Sequence, residues 1–249
     1  MRNIKLKIEY DGTNYKGWQK QKNTPMTIQG VLDSAILKLT GNEPQIIGSG
    51  RTDSGVHALG QVANFKTSSK MPADKIKNAI NAYLPKDIVV LNAEEVSQDF
   101  HAQHDAKWKT YRYCISNRDE RPAISSSYVY HWPHHFRQRF LLKEVLCLTG
   151  RHDFKSFAAK DVSKPHRNED TIRTIKTISI HKRMNLITIE ITADGFLFKM
   201  VRNIVGTLLE ISRKNLPPGT LLRILKAKSR EKGGPTAPAH GLTLLEVCY

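Results

Sequence analysis

Residues 48–66 read GSGRTDSGVHALGQVANFK, which predicts a glycine-rich loop over 48–60 followed by a strand. Glycines permit positive φ angles and a close approach of the backbone to a ligand, so a functional loop is one interpretation. Arg51 and Asp53 lie two residues apart in this loop. The pattern matches neither the Walker sequence nor a GxGxxG turn that opens a helix, so it does not indicate a nucleotide-phosphate site. An Asp two residues before a Gly is also common in turns, and a purely structural role for Asp53 stays open.

The segments that flank this loop alternate between strand and helix patterns. Apolar and charged residues alternate at the start of the chain, and apolar residues recur at helical spacing after the first and third strands. Strands are expected at 4–10, 45–48, 61–66 and 88–96, and helices at 28–39 and 72–84. The order β-α-β-β-α-β is the split βαβ pattern of ferredoxin-like and RNA-recognition folds.

The second half of the chain shows a similar order with little sequence similarity to the first. Strands are expected at 110–116, 172–181, 186–193 and 242–248, and helices at 136–148, 198–213 and 221–228. We therefore predict an α+β protein made of two ferredoxin-like, RNA-recognition-like halves with joined antiparallel sheets around a central basic cleft. The expected halves are residues 1–105, which carry the glycine-rich loop, and residues 106–249.

Composition indicates a globular protein with an anionic partner. The 39 Lys and Arg residues against 23 Asp and Glu give a net charge of +16, which attracts polyanions without separating RNA from DNA or anionic lipid. The 39% hydrophobic content excludes a disordered tail. The three cysteines lie far apart, which excludes a disulfide-stapled domain and favours a reducing compartment. We expect a cytoplasmic protein with no membrane segment, because no apolar run is typical of a signal peptide or a span.

Five motifs in chain order add a resemblance to a known family. They are GRTDSGVHALGQVANF at 50–65, FHAQHDAKWKTYRY at 100–113, GRHDFKSF at 150–157, GFLFKMVRNIVGTLLEI at 195–211 and PTAPAHGLTLLEVCY at 235–249. Together they span nearly the whole chain, which resembles the TruA family of tRNA pseudouridine synthases. The family fold has two ferredoxin-like halves around a basic cleft, in agreement with the predicted order of elements.

The resemblance implies an isomerase that detaches uracil from its ribose, turns it, and rejoins it through C5 instead of N1. Family members modify uridines at positions 38, 39 and 40 in the anticodon arm of tRNA. The implied partners are therefore tRNA and a second copy of the chain, as a homodimer. The family uses no metal, nucleotide or organic cofactor.

The resemblance also implies roles for four residues. Asp53 corresponds to the catalytic aspartate, which either attacks C1′ or removes the 2′ proton. Tyr111 corresponds to a tyrosine that packs against the target base, although a core tyrosine on an alternating strand is the alternative. Arg51 corresponds to an arginine that inserts into the RNA and helps to displace the target nucleotide, with a surface phosphate contact as the alternative. Arg202 corresponds to the basic partner of the aspartate, with a solvent-facing position on an amphipathic helix as the alternative.

Two further segments are candidates for function. The basic stretch 151–170 is expected to be irregular and to contact the tRNA backbone, with a solvated loop as the alternative. The histidines of HWPHH at 131–135 could suggest a metal site, but no HExxH pattern or cysteine partner accompanies them. His57 is expected to be a hydrogen-bonded scaffold residue.

The sequence departs from the family pattern at four positions, namely Ser54, Gln103, His104 and Trp108. These departures leave room for an altered substrate preference.

Two rival functions stay open at this point. One is a non-catalytic RNA-binding protein, which would be expected to present stacking aromatic residues on its strands. The other is a metal-dependent hydrolase that uses Asp53, although no second carboxylate lies at a useful spacing.

Overall fold

The computed structural model describes residues 1–160 and 170–249. Part of the expected basic loop, including Lys164 and Arg167, lies outside the described residues. The chain forms two compact units. The first comprises Met1–Lys107 together with Thr243–Tyr249, and the second comprises Trp108–Leu242.

The first unit is a mainly antiparallel sheet with two helices. Its elements are β1 (Arg2–Tyr10), α1 (Ile28–Thr40), β2 (Ile47–Gly48), β3 (His57–Thr67), α2 (Ala73–Tyr83), β4 (Ile88–Val96) and the last strand of the chain, β10 (Leu242–Cys248). β1 lies between β4 and β3, and both pairings are antiparallel. β2 pairs with the later part of β3, whereas β10 runs parallel to its start. The predicted strands and helices of this half are confirmed in type and order.

The core of the first unit follows from the alternation of β1. On one face of the strand, Ile4, Leu6 and Ile8 are fully buried. The two helices contribute further fully buried residues, namely Ile28, Leu32 and Ile36 of α1 and Ile80 of α2. Helix α1 begins where Thr27 Oγ1 accepts a hydrogen bond from the Gly30 N–H at 3.1 Å. This capping bond satisfies a donor that the helix itself leaves unpaired.

The predicted loop 48–60 is too long at its C-terminal end, because β3 begins at His57. Ala58 pairs with Tyr10 of β1 on one side and with Leu244 of β10 on the other. Pairing with a strand nearly two hundred residues later extends β3 beyond what the local sequence indicates. The irregular part of the loop is therefore confined to about seven or eight residues around Asp53.

The second unit is also a sheet with helices. Its elements are β5 (Trp108–Ser116), β6 (Tyr130–His131), α3 (Gln138–Glu144), β7 (Gly150–Asp153), β8 (Ile172–Arg183), β9 (Leu186–Ala193), α4 (Met200–Arg213) and α5 (Thr220–Ala227). The strands β5, β9, β8 and β7 are neighbours in that order and are all antiparallel, and β6 pairs in parallel with β5. The predicted hairpin across 182–185 is confirmed. The segment expected to be irregular from 151 instead begins within β7.

Helix α4 is the most deeply buried helix of the second unit and is held against the segment 234–237. A Cβ atom on Gly206 would lie only 1.7 Å from the Pro235 carbonyl oxygen, so the backbones touch there. The buried Asn203 lies one turn earlier, and its Oδ1 accepts hydrogen bonds from Thr236 Oγ1 at 2.6 Å and from Arg230 Nη2 at 3.1 Å. Because every partner is satisfied, this polar network fixes the segment in one position. None of the described helices is both long and apolar enough to cross a membrane.

Gly206→Ala is expected to lower the free energy of unfolding by at least about 2 kcal/mol, because its methyl group cannot fit without moving backbone. Helix propensity alone would predict the opposite sign. Chemical denaturation monitored by circular dichroism measures the change. Ser34→Ala, on the exposed face of α1, is the control and should change stability by less than about 0.5 kcal/mol. Equal stability of Gly206→Ala and the unmodified protein would contradict this packing.

Candidate active site

The loop that carries Asp53 is held from one side by the segment 11–19. A Cβ atom on Gly12 would lie 2.0 Å from the Val56 carbonyl oxygen, so only glycine allows this approach. The Trp18 N–H donates to the Thr52 carbonyl at 3.1 Å, and the Gly55 N–H donates to the Tyr15 carbonyl at 3.3 Å. The loop backbone is therefore fixed immediately before and after Asp53.

Buried polar side chains support the same loop from below. The Tyr10 and Thr52 hydroxyl groups lie 2.8 Å apart in a hydrogen bond, and burial raises the pKa of Tyr10. Tyr15 donates its hydroxyl proton to Asp87 at 2.6 Å, and burial together with this carboxylate raises the pKa of Tyr15. Both phenols stay protonated at neutral pH. They therefore act as neutral hydrogen-bonding groups that support the loop, and not as acids.

The start of the loop is held by Gln61 of β3. Gln61 Nε2 donates to the Gly50 carbonyl at 3.0 Å, while its Oε1 accepts from Ser49 Oγ at 2.6 Å. The Ser49 N–H donates to the Val62 carbonyl at 2.7 Å. These bonds tie the loop to the strand that follows it.

Asp53 is half-buried at the centre of this fixed loop. Its main-chain carbonyl accepts a hydrogen bond from the Val56 N–H at 3.1 Å, and Gly55 has a φ of +78°. The backbone thus forms a turn, as expected if Asp53 had a purely structural role. Asn at this position would preserve that backbone bond. A half-exposed carboxylate on a rigid loop can serve as a nucleophile or as a base.

His57, at the start of β3, is almost fully buried behind this loop. Its Nδ1 lies 3.1 Å from the Gly12 N–H donor and also 3.1 Å from Asp11 Oδ1. A single ring nitrogen cannot accept from one partner and donate to the other at once. Nδ1 accepts from the Gly12 N–H when it carries no hydrogen, and it donates to Asp11 when it carries one. Either way His57 links the loop to the 11–19 segment, as the sequence predicted for a scaffold residue.

In the second unit, Tyr111 lies on β5 opposite Ile191 of β9 and is 8% exposed. The Phe196 ring meets it edge-on, with ring centres 5.1 Å apart and an angle of 87°. This T-shaped pair favours a fixed ring orientation. Tyr113, two residues later on the same face, is fully buried and donates its hydroxyl proton to the Pro238 carbonyl at 2.8 Å. Tyr113 is therefore a core residue, while Tyr111 keeps a small exposed fraction.

Positive charge surrounds this part of β5. Burial lowers the pKa of the neighbouring Lys109, and Arg173 nearby acts in the same direction. The Arg173 side chain also lies close to Gly195, directly before Phe196, since a Cβ atom on this glycine would be 3.3 Å from Arg173 Nε. A cationic neighbourhood of this kind suits an anionic ligand.

Arg202, on the first turn of α4, is half-buried. Its Nε donates to the Ala237 carbonyl at 2.7 Å, and the Ala237 N–H donates to the Arg202 carbonyl at 3.1 Å. The side chain is thus anchored to the segment 235–238 and does not simply extend into solvent. Arg202 also lies close enough to Tyr113 to act on the pKa of that phenol.

The structure brings Arg51 and Asp53 together on one loop of the first unit, and it places Tyr111 and Arg202 in the second unit. Sequence reasoning did not identify the residues that hold the loop, chiefly Gly12, Tyr15 and Trp18. A signal was present, because DGTNYKGWQ at 11–19 concentrates glycine and aromatic residues directly after a strand. Phe196 lies in the motif at 195–211, but sequence reasoning assigned it no role.

The histidines of 131–135 and the departures from the family pattern have local partners. His131 Nε2 lies 2.9 Å from the Arg118 carbonyl, and His134 packs on Trp132. Among the described residues, no group of three or more His, Cys, Asp or Glu side chains is placed to hold a metal ion. Ser54, where alanine is usual, donates its hydroxyl proton to the Tyr15 carbonyl at 3.0 Å and so adds a further bond to the loop.

A protein-family model and several named proteins match the sequence of this chain. A family model described as tRNA pseudouridine synthase matches residues 7–105 and 146–249. A protein named tRNA pseudouridine synthase A from Thermoanaerobacter sp. (strain X514) is 47% identical over 249 residues, which cover 100% of each chain. Its namesake from Caldicellulosiruptor saccharolyticus is also 47% identical over the full length of both chains. A relative from Clostridium perfringens, named tRNA pseudouridine synthase A 2, is 47% identical over 250 residues and is likewise covered completely.

The matches include both the loop with Asp53 and the helix with Arg202, and identity near one half over entire chains leaves no segment unaccounted for. The chain therefore belongs to the tRNA pseudouridine synthase family and is an isomerase that acts on tRNA.

Proposed function

We propose that this isomerase converts uridine to pseudouridine at positions 38, 39 and 40 in the anticodon stem-loop of tRNA. The observation that carries the proposal is the rigid support of Asp53, whose loop is bonded on both sides to elements of its own unit. A carboxylate needs such a fixed position to act repeatedly on one atom of a large substrate. The ordered motifs of the family supply the choice of substrate position.

In the proposed reaction, Asp53 acts at the ribose of the target uridine. As a nucleophile it attacks C1′, and the bond from C1′ to N1 breaks. As a base it removes the 2′ proton, and the same bond breaks. In both routes the freed uracil turns and C5 bonds to C1′. In the first route this bond displaces the Asp53 carboxylate from C1′, and in the second the proton held by Asp53 returns to C2′. The hydrogen on C5 is then lost as a proton, and N1 ends with a proton. Both routes require a carboxylate on a rigid loop, and the main-chain hydrogen bonds on both sides of Asp53 support this requirement.

Tyr111 and Arg202 are proposed to complete the site from the second unit. The edge of Tyr111, oriented by Phe196, is suited to pack against the target base, and Arg202 is suited to neutralise the aspartate. This assignment requires the predicted arrangement of two ferredoxin-like halves around a basic cleft. The family motifs support that arrangement.

Release of tritium from tRNA labelled at C5 of uridine tests the reaction class, because only this isomerisation expels that hydrogen. A non-catalytic RNA-binding protein would bind the labelled tRNA without releasing tritium. A hydrolase would cleave a bond and leave the C5 label in place. Mapping of pseudouridine in the product then tests positions 38, 39 and 40.

We also infer that the protein works in the cytoplasm. The three cysteines, Cys114, Cys147 and Cys248, are free thiols, which suits a reducing compartment.

Asp53→Asn is expected to abolish turnover, because neither a nucleophile nor a base survives as an amide. Binding of tRNA should persist or tighten, because the substitution removes one negative charge from a protein that is positively charged overall. The turn should persist as well, because the Asp53 main-chain carbonyl makes its hydrogen bond. Pseudouridine formation, tRNA affinity and melting temperature are measured on the same preparation.

Ser54→Ala is the matched control in the same loop. It removes one hydrogen bond to Tyr15 and should retain most of the activity. Substantial turnover by Asp53→Asn would place the chemistry at another residue. Loss of binding with a lowered melting temperature would show that Asp53 is structural.

The basic segment that begins within β7 is proposed to contact the tRNA backbone. Arg151, Lys155 and Lys160 are exposed. Replacing all three with Ala should flatten the slope of log affinity against log salt by about one unit for each phosphate group that the variant no longer neutralises. Titrations of tRNA binding at several salt concentrations measure the slope.

A control variant removes the same charge elsewhere. Lys70, Lys75 and Lys86 are exposed in the first unit, and their replacement with Ala should leave the salt slope nearly unchanged. If both triple variants shift the slope equally, the effect comes from net charge, and the segment is not a specific tRNA contact.

A homodimer is proposed as the active form, because the family is dimeric and a second copy would extend the positive surface available to an L-shaped RNA. Light scattering at micromolar concentration should give twice the 28.3 kDa of one chain. A mass of one chain, both alone and with tRNA, would contradict the dimer.

A further inference from the structure

Arg51 stands at the end of a chain of three side-chain hydrogen bonds. Arg51 Nε donates to Gln19 Oε1 at 3.0 Å. Gln19 Nε2 donates to Gln29 Oε1 at 2.6 Å, and Gln29 Nε2 donates to the Ile46 carbonyl at 3.0 Å. The chain thus connects the exposed guanidinium to the backbone just before β2.

The two ends of this chain fix its direction. A guanidinium can only donate and a carbonyl can only accept, so each glutamine has one amide orientation that satisfies both neighbours. The backbone N–H of Lys20 also donates to Gln29 Oε1, at 2.9 Å, which independently identifies that atom as oxygen. Gln19 must therefore present its oxygen to Arg51. Hydrogen bonds aligned in one direction strengthen one another.

The backbones that carry both glutamines are themselves anchored. Trp18, next to Gln19, is almost fully buried, and its N–H donates to the Thr52 carbonyl, beside Arg51. The Gln29 N–H donates to the Trp18 carbonyl at 2.9 Å in the first turn of α1. The backbones that carry Gln19, Gln29 and Arg51 are consequently joined to one another by main-chain hydrogen bonds.

We propose that Gln19, supported by Gln29, is a positioning residue that holds the Arg51 guanidinium ready to enter the RNA. The inference rests on the proposed role of Arg51 in displacing the target nucleotide. The bond uses Nε alone, which leaves the terminal nitrogen donors for phosphate or base. An exposed arginine otherwise samples many rotamers, and the relay removes part of that freedom before the RNA arrives.

Gln19→Leu tests the proposal, because leucine has a similar size and cannot accept a hydrogen bond. The expected result is a roughly tenfold slower single-turnover rate with a smaller change in tRNA affinity, since ordering of Arg51 is now required during displacement. Gln29→Leu should give a weaker effect in the same direction. Gln21→Leu is the matched control. Gln21 lies two residues after Gln19, its side-chain amide donates to the Lys16 carbonyl and not to Arg51, and the variant should behave as the unmodified protein.

A double-mutant cycle with Arg51→Ala separates positioning from structural damage. If Gln19 acts through Arg51, the pair Gln19→Leu and Arg51→Ala should be no slower than Arg51→Ala alone. The effect of Gln19→Leu should also shrink on an anticodon stem-loop whose target uridine is unpaired, because displacement costs less there. Melting temperatures of all variants should agree with that of the unmodified protein to within a few degrees.

Three results would overturn the inference. If the two substitutions slow the reaction independently, Gln19 acts on something other than Arg51. If Arg51→Ala is slow while Gln19→Leu is normal, the proposed role of Arg51 survives and the positioning role of Gln19 fails. If Arg51→Ala itself is fully active, the proposed function of Arg51 fails, and with it any need to position it.

Discussion

The contact between Gly12 and Val56 is the constraint on which the Asp53 loop depends. A Cβ atom at Gly12 would meet the Val56 carbonyl oxygen at 2.0 Å, and this approach allows the 11–19 segment to bond to the loop on both sides of Asp53. The Trp18 N–H donates to the Thr52 carbonyl and the Gly55 N–H donates to the Tyr15 carbonyl, so the loop backbone is held on both sides of Asp53. Its rigidity comes from main-chain hydrogen bonds and buried phenols.

An acidic group on a basic RNA-binding protein has a cost in binding and a benefit in chemistry. With a net charge of +16, the protein attracts phosphate at long range, and a single carboxylate subtracts little from that field. At short range the same carboxylate repels phosphate but can act on a ribose carbon or proton. Within the second unit, Lys109 of β5 and Arg173 of β8 lie close enough for Arg173 to lower the pKa of Lys109 in addition to burial.

Much of the fold could be predicted from the sequence because its patterns are local. The alternation of β1 and the helical spacing in α1 and α4 depend on neighbouring residues, and these elements lie where the patterns indicate. The start of β3 could not be predicted, because His57 and Ala58 become strand only through pairing with β10 at the far end of the chain. The supports of the loop were missed for the same reason. Nothing near Gly12 in the sequence indicates that Val56 will lie against it. Asp53 and Arg202, by contrast, are candidates that rest on motifs and not on any physical signal that they carry alone.

The parallel pairing of β10 with β3 has a consequence for biosynthesis. The chain is synthesised from its N-terminus, so residues 1–107 emerge from the ribosome long before Thr243–Tyr249 are made. Until then the strand that begins directly after the Asp53 loop lacks its parallel neighbour, and His57 and Ala58 have unpaired backbone groups on that side. The first unit is thus completed by residues that follow the whole of the second unit in the chain. A chain without Thr243–Tyr249 would expose this strand edge directly after the Asp53 loop.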